Sequence, residues 1–353
     1  MSLRERFRRF GSQIKDTVVL SGLKEGRRSW RWLLRVVLVY VTASGAVGYW
    51  WSTPPAFFDV REVAAQSAQR AGQTVVTGSV MTTTLMEVIH TLLKKRGGYT
   101  HNDIFPPGVG MDDMPNWEYG VLVQTRDLAR ALREVLSRSQ SQSTEDVDLT
   151  LAEPRINFQS DSWALPATES EYADARKYLN NYLKRLPTQG ENGSQFYARA
   201  DNLSFWLGMV EKRLGSLSQR LSASVGQRRL NTDLAGDSAA AQSTQEAEEL
   251  EVKTPWREID DVFFESRGAA WALIHFLKAA EIEFADVLAR KNATVSLRQI
   301  IRELEASQEA LWSPMVLNGS GFGLWANHSL VMANYISRAN AALIDLRELL
   351  AQG

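Results

Sequence analysis

The 353-residue chain contains no cysteine. That absence excludes a disulfide framework, a thiolate metal site and a cysteine nucleophile. Histidine is scarce, and His90, His101, His275 and His328 form no HExxH, HxxxH or paired-histidine spacing, so no zinc motif is present. No GxSxG elbow exists to activate a serine. The glycine-rich "NGSGFG" at 318–323 lacks the Walker lysine and follows no strand, which argues against a phosphate cradle. No cofactor is implied. Strand-like alternation and internal repeats of 20 to 50 residues are also missing, which leaves all-α as the expected fold class.

Long uncharged runs are equally rare, with one exception. From Val36 to Phe58 no residue is charged, a stretch of 23, whereas a hydrocarbon core ~30 Å thick needs about 20 helical residues. Trp30 and Trp32 at one end and Tyr49, Trp50 and Trp51 at the other have the spacing of two interfacial belts, and Pro54 and Pro55 stop the helix. The formal charge of −1 conceals an asymmetry. Residues 1–35 carry ten Lys/Arg against Glu5, Asp16 and Glu25, a net of +7, so the remainder carries −8. The positive-inside rule then puts residues 1–31 in the cytoplasm, a single transmembrane anchor at 32–52, and the rest across the membrane. A cleavable signal peptide ending near "TASGA" is the alternative. The long basic segment and the aromatics after the apolar run favour an uncleaved anchor. Membrane orientation and anionic-lipid contact account for the basic segment without nucleic acid, for which no reader motif is present. Ser44 and Gly48 give a small-xxx-small spacing that permits helix pairing and hence a homo-oligomer.

Past the anchor, apolar spacing predicts helices over 57–73, 82–96, 117–136, 169–186 and 195–223, then 259–288, 296–311 and 324–350. The polar stretch 137–154, ending at Pro154, reads as a loop. Residues 226–254 hold few large apolar side chains and read as a polar mobile linker or insertion. The expected organisation is a helical region at 53–225 packing with a second at 255–353. The helix over 259–288 is apolar on more than one side, so it should be buried.

One loop resembles a catalytic site. "IFPPGVGMDDMPNWEYG" at 104–120 brings Asp112 and Asp113 together with three prolines and Trp117. Acid–base chemistry wants carboxylates that converge across a substrate, and adjacent ones usually diverge. The alternative is a structural clamp in which Asn116 caps the next helix and Trp117 buries against a neighbour. Lys94, Lys95 and Arg96 read as a helix C-terminus complementing the dipole. His275 and His328 each sit in apolar helical surroundings and read as core histidines. Their functional alternative is a polar pocket where His275, Glu281 and His328 meet. Asp112, Asp113, Trp117, His275 and His328 are therefore the candidate ligand or interaction residues, and no catalytic, cofactor or metal-ligating residue is assigned.

Four stretches carry a likeness: "GGYTHNDIFPPGVGMDDMPNWEYGVLVQTRDLARALR", "FYARADNLSFWLGMVEKRLGSLSQRLSASVG", "KTPWREIDDVFFESRGAAWALIHFLKAAEIEF" and "WSPMVLNGSGFGLWANHSLVMANYISRANAALIDLR". In these the chain resembles a family of uncharacterised proteobacterial membrane proteins known only by a domain-of-unknown-function label. The resemblance implies a Gram-negative envelope protein with one inner-membrane span and a periplasmic domain, and it supplies no activity. The combined expectation is a single-pass inner-membrane protein whose periplasmic helical bundle binds an envelope protein partner as a scaffold or adaptor. An envelope hydrolase or lipid-handling protein with a pocket between helices is the competing expectation. A pocket would favour the latter and an exposed apolar patch the former.

Overall fold

The computed structural model describes residues 30–138, 144–188, 193–230, 249–313, 315–320 and 324–352. Two compact units divide the chain, Met1–Thr53 and Pro54–Gly353. In the first, α1 (Trp30–Trp51) is a single helix of 22 residues whose length and apolarity fit a membrane span or a signal sequence. Its side chains are almost all exposed, as expected of a helix made for an apolar medium.

The second unit is all-α. Its helices are α2 (Val60–Ala71), α3 (Ser79–Lys94), α4 (Asp113–Ala131), α5 (Val147–Ile156), α6 (Thr168–Arg185) and α7 (Ala200–Ser222), followed by α8 (Ile259–Glu283), α9 (Ala285–Arg290), α10 (Thr294–Ala306) and α11 (His328–Ala351). α8 is the central element and touches α2, α3, α4, α7, α10 and α11. Every residue from Ser266 to Leu277 is buried, so this helix has no solvent face over about 18 Å of its length at 1.5 Å per residue. α4 packs on α8, α7 on α11, and α5 and α6 on each other.

The tightest crossing is made by glycine. A Cβ on Gly120 of α4 would stand 1.9 Å from the Glu265 carbonyl oxygen, and one on Gly268 of α8 would stand 1.9 Å from that of Trp117. Only hydrogen at both positions lets the two backbones approach this closely. The N-terminus of α3 is satisfied from far away in sequence. Its cap residue, Gly78, offers no side chain, and the Glu283 carboxylate accepts from the N–H groups of Gly78 (2.7 Å), Val80 (2.6 Å) and Met81 (3.2 Å). An anion at that end also suits the helix dipole.

Four expectations need correction. Residues 147–156 form α5, not a loop: Asp146 accepts from the N–H groups of Asp148 and Leu149 as its N-cap. Leu149, Ala152 and Ile156 then bury one face. Pro154 lies inside the last turn, where little helix is left to break. The expected helix over 259–288 is divided at Phe284 (φ −106°, ψ 18°); Phe284 is itself buried, so the apolar stripe runs unbroken across the division. Asp112, not Asn116, caps α4, because Pro115 is tolerated in a first helical turn. The stretch at 226–254 was expected to contain no strand, yet Gln227–Leu230 (β1) pairs antiparallel with Glu249–Val252 (β2). The part of that linker at 231–248 lies outside the described residues.

Candidate functional site

The loop at 104–120 is held from beneath by a buried ion pair. Glu118, 0% exposed, stands 2.6 Å from Lys95 Nζ, whose side chain is 2% exposed. The same carboxylate accepts from Thr100 N–H (2.9 Å), Thr100 Oγ1 (3.0 Å) and His101 N–H (2.8 Å). Burial raises the Glu118 carboxyl above the usual carboxylate range, while Lys95 and Thr100 pull it back. Lys95 thus has a structural partner beyond the dipole role expected of it. Asn102 Nδ2 donates to Ser162 O (2.8 Å), and Tyr99 Oη donates to Ser160 O (2.9 Å). These bonds tie the chain just before the loop to the segment before α6.

Asp112 and Asp113 meet carboxylates from α8. Asn116 Nδ2 donates to Asp261 Oδ1 (2.6 Å) and to Asp112 O (3.0 Å). Asp113 is pushed up to about 7 by burial first, then by Asp112, Asp260 and Asp261. Like charges crowded at a partly buried site disfavour ionisation. Among the described residues, no group of three or more His, Asp or Glu side chains is arranged to hold a metal ion.

Trp117 and His275 are joined through one ring. Trp117 packs on Trp271 (centroids 5.3 Å apart), Trp271 on His275 (4.4 Å), and His275 stacks on Phe58 (4.0 Å). Both nitrogens of His275 are occupied: Nδ1 lies 2.8 Å from Trp271 O, and Nε2 accepts from Phe58 N–H at 3.2 Å. The proton therefore sits on Nδ1. Burial lowers this imidazole to about 4, so it is neutral at physiological pH. With both nitrogens spoken for, it has nothing to offer a substrate.

His328 lies elsewhere. Its ring faces Phe263 (centroids 6.4 Å apart), and Phe263 is twelve residues before His275 on α8, about 18 Å along the axis. Glu281, the third member of the expected pocket, pairs with Arg298 at 2.6 Å. His328 borders a cavity of about 420 Å³ together with Phe263, Arg267, Leu311, Trp312 and Met332. The connection between α10 and α11, which contributes Trp312 to that cavity, exposes large apolar side chains: Trp312 is 97% exposed, Leu324 101% and Trp325 73%. A smaller exposed set, Phe105 and Val109 with Trp163 and Leu165, occupies the loops tied by Asn102.

Sequence reasoning missed Arg267, Lys95 paired with Glu118, and Glu283. Arg267 did leave a trace, as the only formally charged residue in "SRGAAWALIHFL". The other two depend on partners too distant in sequence to be seen.

No curated protein matches this chain. No solved structure matches it either. A family profile described as "Uncharacterized protein conserved in bacteria (DUF2333)" matches residues 24–353. Nearly the whole chain, including α1 and every helix of the second unit, therefore belongs to that uncharacterised bacterial family.

Proposed function

We propose that this chain is a membrane-anchored binding protein of the bacterial envelope that works through the surface at the α10–α11 connection. The observation that carries this reading is the exposure of Trp312, Met315, Leu324, Trp325 and Val331 along one stretch of chain, of which Trp312 and Val331 border a cavity. Large apolar side chains concentrated in one stretch mark interaction sites, whereas single exposed apolar residues are ordinary. Asp112 and Asp113 serve a clamp: one caps α4, and the other lies against α8 carboxylates. The orientation follows from the +7 net charge before the apolar run, which favours a cytoplasmic N-terminus and a periplasmic helical unit anchored by one inner-membrane span. In that compartment the occupant is an envelope protein, a second copy of the chain or a lipid, and the protein acts as a scaffold or adaptor. Nucleic acid has no place in this reading.

The test is a photo-reactive amino acid placed in cells at Trp312, at Trp325 and, as an exposed control on α6, at Lys177. Discrete adducts at the first two positions and none at the third are expected. Equal labelling at all three, or none anywhere, would remove the reading.

A further inference from the structure

Arg267 sits where a cation is costly. The residue is 9% exposed on the fully buried stretch of α8, and burial alone lowers its guanidinium from the ordinary value. One terminal nitrogen donates to Glu309 O (2.9 Å), the other to Gln308 O (3.0 Å), and the guanidinium lies 5.9 Å over the Phe263 ring. All of these partners are neutral. Among the described residues no carboxylate pairs with it, and two of its five N–H donors are used by the two carbonyls. A desolvated charge without a counter-ion is costly, which is the state that an anionic ligand relieves.

The cavity bordering Arg267 has the means to receive one. Its volume, about 420 Å³, is in the range of small-molecule sites. His328 adds a second donor to the same wall: Nδ1 accepts from Leu317 N–H at 3.0 Å, so the neutral ring carries its proton on Nε2. Burial lowers His328 as well, which keeps that tautomer populated at neutral pH. The rest of the wall is mainly apolar, with Phe263, Leu311, Met332 and Trp312 leading outward, while Ser307, Ser313 and Tyr335 add a few polar groups. Glu309 also borders the cavity, and it offers Arg267 its backbone carbonyl rather than its exposed side chain.

We infer that this cavity binds a single-chain anionic amphiphile, with the head on Arg267 and His328 and the tail along Phe263, Leu311 and Met332 to Trp312. The inference rests on the α10–α11 surface being a binding surface, and it names what that surface takes. A planar guanidinium with open N–H groups recognises carboxylate or phosphate oxygens in a two-point manner. A hydrocarbon tail suits the side formed by Phe263, Leu311 and Met332 better than a peptide does, because a peptide would bring backbone N–H and C=O groups that these three side chains leave unpaired.

The test uses the full chain in nanodiscs of zwitterionic phospholipid and a photo-reactive palmitate analogue, with the adduct mapped by mass spectrometry. The label should fall between Ala306 and Tyr335. Dodecanoate or dodecyl phosphate should compete on the order of tenfold better than dodecanol, the factor that one charge-assisted contact confers. A preference between the two anions distinguishes a carboxylate ligand from a phosphate-headed one. Arg267→Gln should bring the anion-to-alcohol ratio close to one, and Arg267→Lys should restore part of it. Equal competition by dodecanol in the wild-type protein overturns the inference without any variant, as does a label mapping to another part of the unit. A protein adduct at Trp312 in cells combined with no head-group selectivity in nanodiscs would remove this ligand class and leave the binding reading intact. Absence of any adduct in cells would instead remove the binding reading.

Discussion

Replacing Lys95 with methionine should destabilise the helical unit by about 3 kcal/mol, the low end for removing one partner of a buried pair. The low end applies because Glu118 keeps its bonds from Thr100 N–H, Thr100 Oγ1 and His101 N–H after Nζ is gone. Those bonds spread the remaining charge over fixed dipoles without neutralising it. The variant also forfeits the bond from Lys95 Nζ to Gly98 O (2.7 Å). pH adds a second signature. Burial already raises Glu118, and Lys95 is the first of the influences opposing it, so the variant's carboxyl titrates higher still. An acid whose folded pKa exceeds its unfolded value gains stability as pH falls through the folded pKa. The deficit should therefore be largest on the alkaline side and shrink as pH falls. Glu118→Gln alone strands the Lys95 ammonium, whereas the double variant holds no buried charge at this position. The double variant should recover at least ~1 kcal/mol relative to the sum of the single changes. Urea unfolding of the detergent-solubilised full-length protein, followed by near-ultraviolet circular dichroism, measures each value. A loss under about 1 kcal/mol for Lys95→Met, or strict additivity in the cycle, would refute the buried clamp.

Gly268→Ala should cost roughly 3 kcal/mol or more by forcing α4 off α8, while Gly110→Ala, whose added Cβ meets nothing within 4 Å, should leave the thermal midpoint unchanged. Asp113, raised to about 7, makes stability fall as pH rises from about 4 to about 7, because the native state holds a proton that the unfolded chain releases. Asp113→Asn should flatten that slope and gain about 2 kcal/mol near neutral pH, a figure discounted for solvent screening and for the helix dipole that favours an anion there; stability measured across this window shows whether it does. Trp117→Ala should lose about 3 kcal/mol through lost burial against Trp271, and equilibrium unfolding reads the loss directly.

Much of the helical architecture is legible in sequence because helical periodicity is a local property. α3, α6, α10 and the buried character of α8 follow from apolar spacing alone. α5 is not legible, since its cap and its apolar face are shorter than the polar stretch and the proline that dominate a window of that size. The division at Phe284 escapes for a related reason: a buried aromatic at a break keeps the stripe continuous. Within the candidate site, the burial of Trp117 and the core role of His275 follow from the apolar residues around them. The acid cluster at Asp113 needs Asp260 and Asp261, and the α3 cap needs Glu283, 203 residues from Val80. No periodicity reports such a pairing. Arg267 is visible as a lone charge in an apolar helix, but only tertiary structure reveals that its partners are neutral carbonyls.

The absence of cysteine makes one measurement decisive, because a single introduced thiol is the only one in the chain. Leu324, 101% exposed in the α10–α11 connection, can be changed to cysteine, as can Ser2 in the basic segment and Lys177 as an exposed control. Cells with a permeabilised outer membrane and an intact inner membrane are then treated with a membrane-impermeant maleimide. A periplasmic binding unit predicts labelling of Leu324→Cys and Lys177→Cys but not of Ser2→Cys. It also predicts that Leu324→Cys reacts more slowly, relative to Lys177→Cys, in cells than as purified protein, since in cells its surface is occupied. Labelling of Ser2→Cys alone would reverse the topology, and an identical rate ratio in both settings would contradict the claim that the α10–α11 surface is where this protein binds.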